Sequence, residues 1–128
     1  MNLTRRLAAE ALGTCLLIIS VVGSGIMATR LTDDVAVQLL ANAGATVGAL
    51  IALILMFGSI SGAHFNPVVT AASCFFDGRS WRDLVPYAVA QTLGGIVGSA
   101  IANLMFDLDV LGPSTKVREG GGIWLGEV

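Results

Sequence analysis

Ser61-Gly62-Ala63-His64-Phe65-Asn66-Pro67-Val68-Val69-Thr70 is the stretch that decides how this chain folds. Asn66 is a good helix N-cap, because its side-chain oxygen can accept from the amide of Val68 or Val69, and Pro67 suits the first helical position. A helix therefore starts at Pro67 and can run to about Phe76, where Asp77-Gly78 ends it. Ten residues rise roughly 15 Å, half the thickness of a bilayer's hydrocarbon core. The surrounding segment, residues 58–76, is too apolar for an ordinary loop between membrane spans and too broken by glycine and proline for a full span. It reads as a re-entrant half-helix.

That reading needs spans on either side, and the sequence has them. An apolar segment over about 7–28 follows Arg5-Arg6 and carries one acid, Glu10; a second covers about 35–60, and a third about 84–106. Each is long enough to cross a bilayer as a helix, which takes about 20 residues. The first is too long for a signal peptide's apolar region and is followed by further spans, so an uncleaved helix is expected. Composition agrees: 55% of residues are hydrophobic and 12% charged, with a mean hydropathy of +0.81. The expected fold is an all-α membrane protein with three transmembrane helices and one half-helix at 67–76. Arg5, Arg6, Arg79 and Arg82 fall on one side, and Arg30, Lys116 and Arg118 on the other, which by the positive-inside bias places the N-terminus in the cytoplasm of a multi-pass cell-membrane protein.

Because the segments before and after the half-helix emerge on the same side, its N-terminus must point into the membrane. Free amide donors and a partial positive charge then lie near the midplane, which is tolerable only where backbone lines a water-filled cavity or is buried in protein. An extended Gly62-Ala63-His64-Phe65 would offer successive carbonyl acceptors beside them, and Asn66, with its oxygen spent on capping, would turn N–H donors toward the path. Water or a hydroxylated solute can use both. A cation meets the positive end of a helix dipole, so neutral permeants are expected.

At these residues the chain resembles the aquaporin and glycerol-facilitator (major intrinsic protein) family, whose signature is Ser-Gly-x-His-x-Asn-Pro-Ala-Val-Thr. The resemblance extends to Ala9-Glu10-Ala11-Leu12-Gly13-Thr14 and to Tyr87-Ala88-Val89-Ala90-Gln91-Thr92-Leu93-Gly94-Gly95, in the family's order. It implies a channel whose pore and selectivity residues here are Asn66, Pro67, Val68, Thr46, Gly62, Ala63, His64 and Phe65. Asn66 and Pro67 would belong to the first of two Asn-Pro-Ala boxes, with Val68 standing where alanine is usual and altering the packing or the width at the midplane. Thr46 falls where water-selective members look to place a large aromatic in the outer filter; a threonine there would admit glycerol-like solutes or neutral metalloid hydroxides such as arsenous acid. Thr46 can equally back-bond to its own helix. Glu10 and His64 would be structural braces that satisfy loop amides, with Gln91 in a similar role from the third helix. Two small-xxx-small pairs, Gly44/Gly48 and Gly94/Gly98, offer faces for close helix packing.

The resemblance makes residues 1–122 a first repeat and 123–128, with Glu127, the opening of a fourth helix that would begin a second. The implied partners are the lipid bilayer, water and small neutral solutes, and a second aquaporin half or further copies of the chain, a tetramer by family. The competing function is a non-conducting membrane protein, either truncated or an interaction partner packing through its glycine faces. Nothing in the sequence assembles a nucleophile, base and orienting group, so no enzyme activity is expected. Cys15 and Cys74 lie apart in apolar runs without metal-ligand spacing, and no metal or cofactor is expected. A net charge of -2 with basic residues scattered singly or in pairs argues against a nucleic-acid partner.

Overall fold

In lipid a backbone must satisfy its own hydrogen bonds, and this chain does so almost entirely with helices. The computed structural model describes residues 2–110, Gly120 and Gly122. Over residues 2–110 the helices are, in order, α1 (Leu3–Leu31), α2 (Val35–Ser61), α3 (Pro67–Phe76) and α4 (Leu84–Met105), the last entered through a 3-10 turn at Trp81–Asp83. Three of them are long and apolar enough to cross a membrane, with α3 as the short fourth. The expected fourth-helix opening at 123–128 lies outside the described residues.

The first three helices begin where the sequence supplies a side-chain cap, whereas α4 continues from the 3-10 turn without one. The Asn2 side chain accepts from the Thr4 amide, and Asp34 accepts from Ala36 and Val37, so α1 and α2 are separated by only a short polar turn. α1 is longer than its apolar stretch: it adds roughly a turn at each end, taking in Arg5 and Arg6 at the start and Arg30 near the close. α2 ends at Gly62, whose φ of 102° is open to glycine and strained for other residues. Asn66 then caps α3 through the Val68 amide at 2.8 Å, with Pro67 in the first turn.

α1 is the central element, packing along α2 on one side and α4 on the other, while α3 rests against α4. The α1–α4 seam is close because it is made of glycine. A Cβ on Gly94 would stand 2.2 Å from the Ala11 carbonyl oxygen, and one on Gly98 2.5 Å from that of Cys15. The other expected packing pair behaves differently. Gly44 and Gly48 meet nothing within 4 Å, so that α2 face is unused within the described residues. A small-residue motif permits close approach but does not supply the partner. Outward, large apolar side chains stand bare: Leu55 is 79% exposed and Phe76 81%. Such a surface suits hydrocarbon and not water, and the chain is a multi-pass membrane protein.

The two glycine pairs should respond oppositely to alanine. Gly94→Ala and Gly98→Ala force backbone apart and are expected to destabilise by about 1–3 kcal/mol, as overpacking does. Gly48→Ala fills open space and gains helix propensity, so it should be neutral or stabilising by up to about 1 kcal/mol. Detergent-denaturation midpoints of the purified chain check both, and a loss at Gly48 equal to that at Gly94 would count against this packing.

Candidate functional site

Glu10 organises the region around the half-helix. It lies on α1 and is fully buried. Four donors reach its carboxylate, two on each oxygen: the Ser61 hydroxyl at 2.5 Å and the His64 amide at 3.0 Å on Oε1, the Phe65 amide at 2.7 Å and the Gln91 Nε2 at 2.8 Å on Oε2. A carboxylate has about four acceptor positions, so this set fills it. One residue of α1 thereby joins the end of α2, the loop before α3, and α4.

These bonds dictate where the loop's carbonyls go. No peptide bond here is cis, and in a trans peptide the N–H and C=O point in opposite directions. The His64 and Phe65 amides turn inward to Glu10, so the carbonyls of Ala63 and His64 turn away from it. The Ala63 amide donates to Ser61 Oγ at 3.1 Å, which turns the Gly62 carbonyl away in the same manner. The loop thus has an amide face held by buried side chains and a carbonyl face directed elsewhere.

The sequence reading of this stretch as extended is wrong in conformation. Gly62, Ala63 and Phe65 all have positive φ, at 102°, 53° and 52°. For a non-glycine residue this region is unfavourable by about 1–2 kcal/mol, and the bonds to Glu10 and Ser61 hold it. Ala63 and Phe65 contribute backbone, since their own side chains are buried in a cluster with Ala9, Leu53 and Phe57. The Phe65 ring meets Phe57 edge to face at 6.1 Å, and it lies against Gly13, where a Cβ would stand 2.0 Å from its Cε1. Glu10 and Gly13, three residues apart, share one face of α1; one holds the loop's backbone and the other admits its ring.

Glu10 and Ser61, not His64, satisfy the loop amides. The His64 ring is half-buried and its Nδ1 lies 3.1 Å from Thr70 Oγ1. Gln91 donates to both Glu10 and that same hydroxyl, at 2.8 and 3.1 Å, so Thr70 ties the first turn of α3 to α4 and to the loop. Around this buried core, Gly62, Asn66, Pro67 and Val68 are exposed. With its Oδ1 spent on the Val68 amide, Asn66 has its Nδ2 donors left over. Thr46 is elsewhere, fifteen residues before the end of α2 and so roughly 22 Å up that helix; its hydroxyl donates to the Asn42 carbonyl at 2.8 Å.

A second cluster was not visible in the sequence. Arg6 of α1 and Arg79 from the turn after α3 both donate to the Tyr87 hydroxyl, at 2.9 and 3.0 Å, and both reach Asp83. Tyr87, fully buried, donates in turn to the Ser61 carbonyl at 2.9 Å, and Arg79 donates to that carbonyl at 3.0 Å. In the sequence these arginines were only markers of membrane orientation. Up to 81 residues separate the partners, and no local spacing signals the contact.

An acid in the first helix gripping the loop before an Asn-Pro-capped half-helix is an arrangement that can be compared with known proteins. The family model for the major intrinsic protein matches residues 1–121. The chain belongs to the major intrinsic protein family. This is a family of channels and not of enzymes. Similar proteins include the aquaglyceroporin AqpS of Rhizobium meliloti (strain 1021), 51% identical over 126 residues that make up 98% of this chain and 54% of the relative. An aquaporin of Laccaria bicolor (strain S238N-H82 / ATCC MYA-4686) is 34% identical over 119 residues, 89% of this chain and 43% of the relative. Aquaporin-7-2 of Laccaria bicolor is 35% identical over 122 residues, 89% of this chain and 36% of its own length. The chain spans about half the length, or less, of these major intrinsic proteins.

Replacing Glu10 by glutamine keeps the shape but sets an amide group against donors. Glu10→Gln should orphan at least one loop amide and destabilise by about 1–3 kcal/mol, the desolvation penalty of a buried unpaired donor. Denaturant titration in micelles, with exchange rates of the His64 and Phe65 amides, checks this; unchanged stability and exchange would show that the carboxylate does not hold the loop.

Proposed function

We propose that this chain forms one half of a passive channel for water and small neutral solutes of the hydroxylated class, glycerol-like molecules and metalloid hydroxides such as arsenous acid among them. The observation that carries the reading is the pairing, at one place, of the capped N-terminus of α3 with the outward carbonyl face of residues 62–64. The first offers donors and a positive field, from the Val69 amide and from Asn66 Nδ2, since Pro67 has no N–H and the Val68 and Thr70 amides are bonded to Asn66. The second offers acceptors. A neutral molecule bearing hydroxyls exchanges its water for both, whereas a cation is repelled by the helix end.

The pore and selectivity roles assigned to Asn66, Pro67, Val68, Gly62, Ala63, His64 and Phe65 belong to this proposal, and so does the filter role of Thr46. In it, Thr46 widens the outer part of the path. Its hydroxyl proton is engaged with Asn42, which leaves lone pairs that can accept from a passing solute. The similarity to a protein named as an aquaglyceroporin supports the wider class of permeant. An open apolar groove of about 640 Å³ runs along α3 and α4, with Pro67, Val68, Ala71, Ala88 and Val89 among its walls. Its position on the exposed side of the half-helix supports a second half, from the same polypeptide or another copy, closing the path there. We place the protein in the cell membrane with its N-terminus in the cytoplasm, by the arginines near α1 and α4. Tetramers are the proposed assembly.

Stopped-flow swelling of proteoliposomes tests the proposal. The reconstituted protein should pass both water and glycerol, and Thr46→Phe should cut glycerol flux by about tenfold while holding water flux within about twofold, as a narrowed but still polar filter would. Absence of water and glycerol flux from every assembled form would overturn the channel reading in favour of a non-conducting protein. Unchanged selectivity in Thr46→Phe would remove Thr46 from the filter.

A further inference from the structure

Glu10 is fully buried, and all four groups that touch it are neutral donors. A buried anion served only by neutral dipoles is costly unless a counter-charge lies near. The Arg6, Arg79 and Asp83 cluster has such a charge to give. Two guanidinium groups share one carboxylate, and Arg79 Nη1 stands 3.6 Å from it, longer than a hydrogen bond. One positive charge of that cluster is left over.

Ser61 lies between the two. Its carbonyl accepts from Arg79 Nη2 at 3.0 Å and from the Tyr87 hydroxyl at 2.9 Å, while its own hydroxyl donates to Glu10 at 2.5 Å. The last turn of α2 contains no basic residue, so the negative end of that helix receives its cation from Arg79, beyond α3 in the chain. The guanidinium also packs on the loop itself: a Cβ on Gly62 would stand 2.9 Å from Arg79 Nη2. Stacking 5.0 Å from the Tyr87 ring centroid fixes its plane.

We infer that Arg79 is the positioning residue of the 62–65 loop: it clamps the Ser61 carbonyl from which the loop departs and, with Arg6, supplies the counter-charge of buried Glu10. The carbonyl face is therefore oriented from two sides, by Glu10 drawing the amides inward and by Arg79 fixing their point of origin. The consequence for transport rests on the channel reading above; the clamp itself does not.

Amide exchange of the full chain in micelles tests the clamp without requiring conduction. Arg79→Met should speed exchange at His64 and Phe65 by about tenfold, the scale of one lost charge-assisted hydrogen bond, while amides in the middle of α1 and α4 change less than about twofold. Arg79→Lys keeps the charge without the fork and should recover part of the protection. In a Glu10→Gln background the additional effect of Arg79→Met should shrink to about threefold, because the anion it balances is gone while its bond to the Ser61 carbonyl is still lost. If His64 and Phe65 exchange no faster in Arg79→Met, or only in step with the helix interiors, the clamp is overturned. A full tenfold effect persisting in the Glu10→Gln background overturns the counter-charge. Should Arg79→Met not fold, Arg79→Lys carries the comparison, and wild-type exchange at both amides would overturn the clamp. A protein that passes no solute yet shows this local loosening would refute the proposed channel and leave Arg79's role standing.

Discussion

Everything distinctive in this molecule depends on one constraint: a carboxylate taken out of solvent must find donors for both its oxygens. Glu10 finds two of its four in backbone amides of a loop that no regular secondary structure could satisfy. The bargain is mutual. The loop's amides would be orphaned in a membrane interior without the acid, and the acid would be prohibitively buried without the loop. Left-handed backbone at Ala63 and Phe65 is the geometric result, and the half-helix begins immediately afterwards because Asn66 returns to an extended conformation and caps it.

Small residues make the arrangement possible. Glu10 can reach α4 and the loop together because α1 and α4 come into backbone contact at Gly94 and Gly98, and because Gly13 leaves room for the Phe65 ring. Polar and steric complementarity thus come from the same face of α1. Thr70 and Gln91 extend the network so that α3, itself only ten residues long, is anchored by side-chain bonds in its first turn as well as by apolar contact with α4. A helix so short is marginal alone and depends on such tertiary support.

Much of this was legible in the residues. Asn66-Pro67 marks the start of α3 because capping is local chemistry, and the three long helices follow from apolar stretches of sufficient length. The sign of φ at Ala63 and Phe65 was not legible: neither residue favours the left-handed region, and the tertiary bonds to Glu10 override that preference. The part played by Arg79 was hidden for a similar reason. An arginine in a polar turn carries no local sign that it will reach back to Ser61 and share Tyr87 with Arg6. The pairs Gly44/Gly48 and Gly94/Gly98 look alike as motifs, yet only the second has a partner within the described residues. His64, placed as a brace for loop amides, instead meets Thr70.

The carbonyl face of residues 62–64 has a consequence for how such a protein can change over generations. Its chemistry is peptide chemistry, the same whatever side chains those positions bear. Substitutions within the loop are constrained by burial and by φ, but they cannot recolour the surface that the carbonyls present. Heritable variation in that surface has to enter indirectly, through the residues that aim it: Glu10 on one helix, Gln91 on another, Ser61 at the junction. Selection on what meets the loop would therefore leave its trace far from the loop in the chain.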